Sequence, residues 1–174
     1  MIRAVNYKWY AVYVKSRAEK KALTELTLKG VNAYLPLRVV KRKWSDRVKL
    51  VEEPLLRGYL FVFVSEREYL TVLQTPGVVG YVKFEGKAAA IPEREIENLK
   101  IFLERNKAFV DVSYENIAKG QKVKVVGGPL EGIEGEVFEL RGKKRISLRF
   151  ETLGCSVFAD VSLELLEKIE LINS

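Results

Sequence analysis

The 174 residues, 48% hydrophobic and 30% charged, suit one domain or two small ones with a real core. The chain has no histidine and a single cysteine, Cys155. That excludes Ser-His and Cys-His nucleophile pairs, histidine general bases, most zinc sites and any internal disulfide, while an unpaired thiol fits a reducing compartment and a cytoplasmic location. A formal net charge of +7 suits either a phosphate-bearing partner or a solvated positive face.

Trp9 to Val14 is a short apolar run rich in aromatic and β-branched residues, which predicts a strand buried on both faces. Ser16 then opens an S-R-A-E capping box, with Ala22, Leu23 and Leu26 on one helical face and Gly30 as the stop. Tyr34 to Val51 predicts a long hairpin with a polar tip at Ser45, Asp46 and Arg47. Gly58 to Val64 (GYLFVFV) is apolar on both alternating sets and predicts a central strand. Tyr59 to Val64 is the longest strongly apolar stretch and is far below the roughly 18 residues that span a bilayer, and MIRAVNYKWY has no signal-peptide pattern.

A second capping box, Ser65 to Glu68, begins a short helix that Pro76 and Gly77 must end. A strand follows over Val78 to Phe84, and Pro92 precedes a helix with Ile96, Leu99, Phe102 and Leu103 on one face. The order β-α-β-β-β-α-β-α is a split βαβ pattern with an additional hairpin strand: an α+β domain over residues 1–105, its antiparallel-containing sheet packed with helices. Residues 106–118 lose periodicity and are expected to be a linker. Residues 119–174 carry five short strands (Lys122 to Val126, Glu136 to Leu140, Arg145 to Phe150, Ser156 to Val161, Leu166 to Ile169) between Gly-containing turns, which predicts a small five-stranded barrel.

No catalytic constellation emerges. V-V-G-G-P-L-E-G-I-E-G lacks the G-K-[ST] of a P-loop and the spacing of a dinucleotide fingerprint, so it is expected to make turns. Glu52 and Glu53 are adjacent and point to opposite strand faces, so they cannot act as an acid–base pair; Glu134 and Glu136 share a face without a partner base. The residues therefore point to neither a catalytic centre nor a metal site.

Two clusters remain. Arg38, Lys41, Arg42, Lys43, Arg47 and Lys49 concentrate on the hairpin around Trp44, where they can meet phosphates and stack on an unpaired base or simply keep an edge soluble. Lys15 and Arg17 add charge at the first strand-to-helix corner. Tyr13, Tyr59, Phe61, Tyr81 and Phe84 fall on strands expected in one sheet, as core or as a groove for a partner helix. In the second domain, Leu130 and Ile133 sit between glycines at a loop tip and are expected to point outward, over a core of Val123, Val125, Val137 and Ile146.

The succession W-Y-A-V, E-P-L-L-R-G-Y-L-F-V, G-V-V-G-Y-V and I-P, then G-Q-K-V-K-V-V-G-G-P-L-E-G-I-E-G-E-V, resembles the NusG family of transcription elongation factors with a C-terminal KOW domain, over about residues 8 to 170. The resemblance implies a monomeric, non-catalytic processivity factor that is not an enzyme and uses no cofactor. Its first domain would bind the clamp helices of RNA polymerase through an aromatic groove matched by Tyr13, Tyr59, Phe61, Tyr81 and Phe84. It would also touch the non-template DNA strand, for which Lys15, Arg17, Arg38, Lys41, Arg42, Lys43 and Arg47 are the candidate contacts. The KOW domain would recruit a small-subunit ribosomal protein or Rho, with Leu130 and Ile133 as the candidate contacts. G-Y-L-F-V and E-P-L-L are similar to the specialised antiterminator paralogues, RfaH-like and UpxY-like proteins. Arg57 stands where the housekeeping factor commonly has proline, and Leu130 where it commonly has a phenylalanine used toward Rho. A ribosome-associated KOW RNA-binding protein and a housekeeping factor acting with Rho stay open as alternatives.

Overall fold

The computed structural model describes residues 4–106, 110–114, 120–128, 130–140 and 142–169. In chain order the first part runs β1 (Lys8–Val14), α1 (Glu19–Leu28), β2 (Asn32–Tyr34), β3 (Leu37–Lys43), β4 (Val48–Pro54), β5 (Tyr59–Val64), a 3-10 turn, α2 (Tyr69–Leu73), β6 (Val78–Tyr81), β7 (Lys83–Phe84), β8 (Lys87–Ala88), β9 (Ala90–Ile91) and α3 (Glu93–Asn106). The chain divides into two compact units, residues 1–36 with 54–96 and residues 37–53 with 97–174.

The first unit is built on the antiparallel order β2-β5-β1-β6, with β9 also paired to β1. The apolar runs predicted as strands are its interior: β1 meets β5 from Lys8↔Val64 to Tyr13↔Tyr59, and Leu60, Phe61 and Val62 are inaccessible. Burial on both faces follows from apolar residues at both alternating positions. The predicted hairpin exists but stands apart as the two-stranded β3-β4 sheet, closed where the Trp44 N–H donates to the Arg47 carbonyl at 2.8 Å.

The two expected capping boxes have different outcomes. Ser65 makes one: its Oγ accepts from the Arg67 N–H, and its own N–H donates to Glu68 Oε2 at 2.9 Å. Ser16 does not. Helix α1 begins at Glu19 after a turn in which Arg17 takes φ 65°, and Ala18 occupies the cap position without a side-chain bond. Glu19 is buried, and its Oε1 accepts the Gly58 N–H at 3.0 Å, so a carboxylate expected at the helix start instead fixes the turn into β5.

In the second unit β10 (Val110–Ser113), β11 (Gln121–Val125), β12 (Glu134–Leu140), β13 (Lys143–Phe150), β14 (Cys155–Asp160) and β15 (Leu166–Lys168) form an antiparallel sheet in the order β10-β14-β13-β12-β11-β15. It has six strands where five were expected. The extra one, β10, lies inside the stretch read as a linker and pairs with β14 from Val110↔Ala159 to Ser113↔Ser156. Its V-D-V-S alternation is too short to stand out from irregular sequence. The rest of that stretch, 107–109 and 115–119, lies outside the described residues. Val123, Val125 and Ile146 are buried as expected, whereas Val137 is half-buried and Phe138 is buried beside it. Gly120 is required by close approach, because a Cβ there would fall 1.9 Å from the Val137 carbonyl oxygen.

Candidate functional site

The first unit's sheet presents the pair Tyr13 and Tyr59 at one end of its surface. Tyr13 and Tyr59 face each other across β1 and β5 with ring centroids 5.3 Å apart, and Tyr13 is 42% exposed while Tyr59 is half-buried. On the other side of Tyr13, its partner in β6 is Gly80, where a Cβ would meet open space. The register shifts between Tyr13 and Val14, leaving Val79 as the extra residue of a β-bulge, 64% exposed. A bulge re-aims a side chain and ends regular pairing. Rings, notch and exposed valine thus lie together on one end of the sheet, and Val79 was missed in the sequence because a bulge leaves no mark in hydrophobic alternation.

The other three candidates of the aromatic set go elsewhere. Phe61 shares the face of Tyr59 but is fully buried, opposite Ala11 and stacked on Tyr34 at 6.3 Å. Tyr81 pairs with Val12, hence on the opposite face, where it stacks on Tyr69 of α2 at 4.4 Å and meets Tyr10 edge-on. Its hydroxyl donates to the Tyr69 carbonyl at 3.4 Å, and burial, reinforced by the neighbouring phenols, pushes its pKa well above the usual tyrosine value. Phe84 is 71% exposed on the separate β7-β8 ribbon, outside the sheet. A single groove of five aromatics is therefore corrected to a Tyr13–Tyr59 patch, two core residues and one exposed ring.

The basic hairpin divides as well. Glu53 at the end of β4 receives Arg38 Nη2 at 3.1 Å and Arg42 Nη2 at 2.7 Å, and Arg38 Nη1 also reaches Asp111 Oδ1 at 3.1 Å. Burial acts to raise the Glu53 pKa, but the hydrogen bonds and charges of Arg42 and Arg38 outweigh it and hold the carboxyl below its usual value. At the tip, Lys41, Lys43, Arg47 and Lys49 are exposed and, among the described residues, none has a carboxylate within ion-pair distance. Trp44 is 55% exposed, with Lys49 Nζ 5.5 Å from its ring centroid. Lys15 and Arg17 are exposed at the β1–α1 corner of the first unit.

Leu130 and Ile133 do not point outward; they are buried at 5% and 1% exposure. The loop closes at its base through Val125 N–H to the Ile133 carbonyl and Gly132 N–H to the Val125 carbonyl, which turns both side chains inward. The exposed large apolar residues of this region are instead Val126 and Leu163, on segments joined by the Val126 N–H to Leu165 carbonyl bond. Cys155 is buried in β14, which pushes its thiol up to about 12. Among the described residues no cluster of three or more His, Cys, Asp or Glu is placed to hold a metal, and no helix is long and apolar enough to cross a membrane.

Sequence and structure comparisons place this α+β chain with the transcription termination and antitermination factors. The family model described as transcription termination factor nusG matches residues 7–100, and the chain belongs to the NusG family. The transcription termination/antitermination protein NusG of Streptococcus pyogenes serotype M3 is 28% identical over 164 residues, covering 91% of this chain and 89% of that protein. NusG of Lactococcus lactis is 24% identical over 87% of this chain and 83% of its own length. Among solved structures, one described as domain interaction in Thermotoga maritima NusG aligns with a TM-score of 0.53 at 25% identity, covering 95% of this chain and 98% of that one.

Proposed function

We propose that the chain is a transcription elongation and antitermination factor that works by binding: its first unit seats on the clamp helices of RNA polymerase through Tyr13 and Tyr59. The observation that carries this reading is the tyrosine pair, Tyr13 exposed and Tyr59 half-buried, beside Gly80 and Val79. Two adjacent aromatics with an open notch suit the ridge of a helix, since rings supply large apolar area at low entropic cost while their hydroxyls stay wet. Phe84 adds an exposed ring of the same unit. The tip cations Lys41, Lys43 and Arg47 contact the non-template DNA strand, with Lys15 and Arg17 as further candidates, and the second unit acts as a KOW barrel that recruits a ribosomal protein or Rho. With Leu130 and Ile133 buried, that recruitment runs through exposed residues such as Val126 and Leu163. The protein acts as a cytoplasmic monomer without a cofactor.

The test is binding of the full chain to a clamp-helix fragment of RNA polymerase. Tyr13→Ala and Tyr59→Ala should each weaken it roughly 10- to 30-fold, the range of an interface aromatic worth about 1.4 to 2 kcal/mol. Affinity equal to wild type for both variants would refute the reading. Pulldowns from extract that yield ribosomes without polymerase would favour the ribosome-associated alternative.

A further inference from the structure

The sequence presents the hairpin as one basic surface, but the structure gives its cations two different environments. Arg38 and Arg42 both end on Glu53, whose side chain is only 13% exposed, and Arg38 also holds Asp111. With Asp111 counted, the two guanidiniums meet two carboxylates and are charge-compensated, and pulling either onto a phosphate would strip a partly buried Glu53 of a partner. The other hairpin cations carry no such compensation: Lys41, Lys43, Arg47 and Lys49 are exposed, Lys49 Nζ lies 5.5 Å from the ring of an exposed Trp44, and Asp46 is the one acid in the turn. Val48 and Leu50, 62% and 65% exposed, flank Lys49 in β4 and so lie on the opposite face of the strand from it.

We infer that Glu53 partitions the hairpin's cations into a braced pair, Arg38 and Arg42, which are positioning residues, and an uncompensated set, Lys41, Lys43, Arg47 and Lys49, that meets the phosphates of single-stranded DNA while Trp44 stacks on an unpaired base. The inference rests on the nucleic-acid arm of the proposed function and goes further by assigning which cations bind and which only brace the hairpin. Single strands are favoured over duplex because an exposed indole gains from unpaired bases, whereas a duplex hides its base faces in the stack. A cation near the Trp44 ring adds charge at the point where a stacked nucleotide brings its phosphate.

The experiment measures binding of the full chain to a labelled oligothymidine across a salt series, because each neutralised phosphate of a single strand contributes about 0.7 to the slope of log affinity against log salt. Lys43→Gln and Arg47→Gln should each flatten the slope by about 0.7, while Arg42→Gln leaves it unchanged. Glu53→Gln should steepen it, since it frees arginines to contact DNA. Trp44→Ala should weaken binding at least about 5-fold and Trp44→Phe should restore most of the loss. Thermal melts of each variant separate these effects from unfolding.

If Arg42→Gln flattens the slope as much as Lys43→Gln, the partition is wrong and the nucleic-acid arm survives. Full affinity in Trp44→Ala, or tighter binding of duplex DNA or single-stranded RNA through the same side chains, overturns the assignment to single-stranded DNA. If wild type binds no oligothymidine even at low salt, the nucleic-acid arm itself fails and the inference falls with it.

Discussion

Tyr59 and Phe61 stand two residues apart on β5, share a face of one sheet, and meet opposite fates: the first is half-buried against an exposed Tyr13, the second fully buried against Tyr34. Strand periodicity fixes the face on which a side chain lies, but not how far along that face solvent begins. What differs is the neighbour in the next strand. Tyr59 lies across from Tyr13, whose other partner is Gly80, whereas Phe61 has Ala11 on one side and Tyr34 on the other. A glycine at the sheet's end leaves room for rings to reach solvent, and an alanine in its middle lets a phenylalanine pack down.

The most direct way to break this contrast is truncation at Phe61. A fully buried phenylalanine changed to alanine loses its transfer energy and leaves a cavity, so Phe61→Ala should cost about 3 to 5 kcal/mol in denaturant unfolding. Tyr13→Ala, removing an exposed ring, should stay within about 1 kcal/mol of wild type. Similar losses for the two variants would erase the distinction between core and patch. Ile133→Ala carries the same contrast into the second unit: at 1% exposure it should cost about 2 to 5 kcal/mol, where an outward-pointing loop residue would cost almost nothing.

The sequence carried some of these distinctions and not others. Long apolar runs identified β1 and β5, and Pro76, Pro92 and the Ser65 box marked helix ends, because each acts through local backbone geometry. Ser16 failed because S-x-x-E describes a possible cap, whereas the chain commits Glu19 to the Gly58 N–H, a bond between residues 39 apart that no local pattern encodes. Leu130 and Ile133 failed for a similar reason, since loop glycines predict a turn but not the direction in which it folds. The basic hairpin was legible as a hairpin and as a charge cluster. Its division was hidden because Glu53 lies 11 and 15 residues from the arginines it pairs with, and only strand pairing brings them together.

An intermediate effect is expected on acidification. The folded Glu53 pKa lies below the reference value of 4.5, so the brace contributes its full stabilisation above that value and loses it as pH falls through the lower folded pKa. A carboxyl carbon-13 titration should place the Glu53 midpoint below 4.5, and Arg42→Gln should move it upward. A Glu53 midpoint at or above 4.5 in the wild type would mean that the arginines do not hold it.

The smallest expected change in stability, and the sharpest probe of the patch, is at Gly80. It lies beside Tyr13 in β6 with ordinary negative backbone geometry, and a Cβ there would touch nothing within 4 Å. Because glycine weakens a strand through backbone entropy, Gly80→Ala should leave stability unchanged or raise it by up to about 1 kcal/mol. The added methyl nevertheless occupies the notch beside the tyrosine rings. If a helix of the polymerase seats there, the methyl should hold it off the rings and lower affinity several-fold, and Gly80→Val should lower it further while the melting temperature holds. A partner that ignores both substitutions would not be using the notch, and the role of Tyr13 and Tyr59 would then depend on their outer rims alone. A matching loss of stability would instead mean that the open space beside Tyr13 is closed in solution.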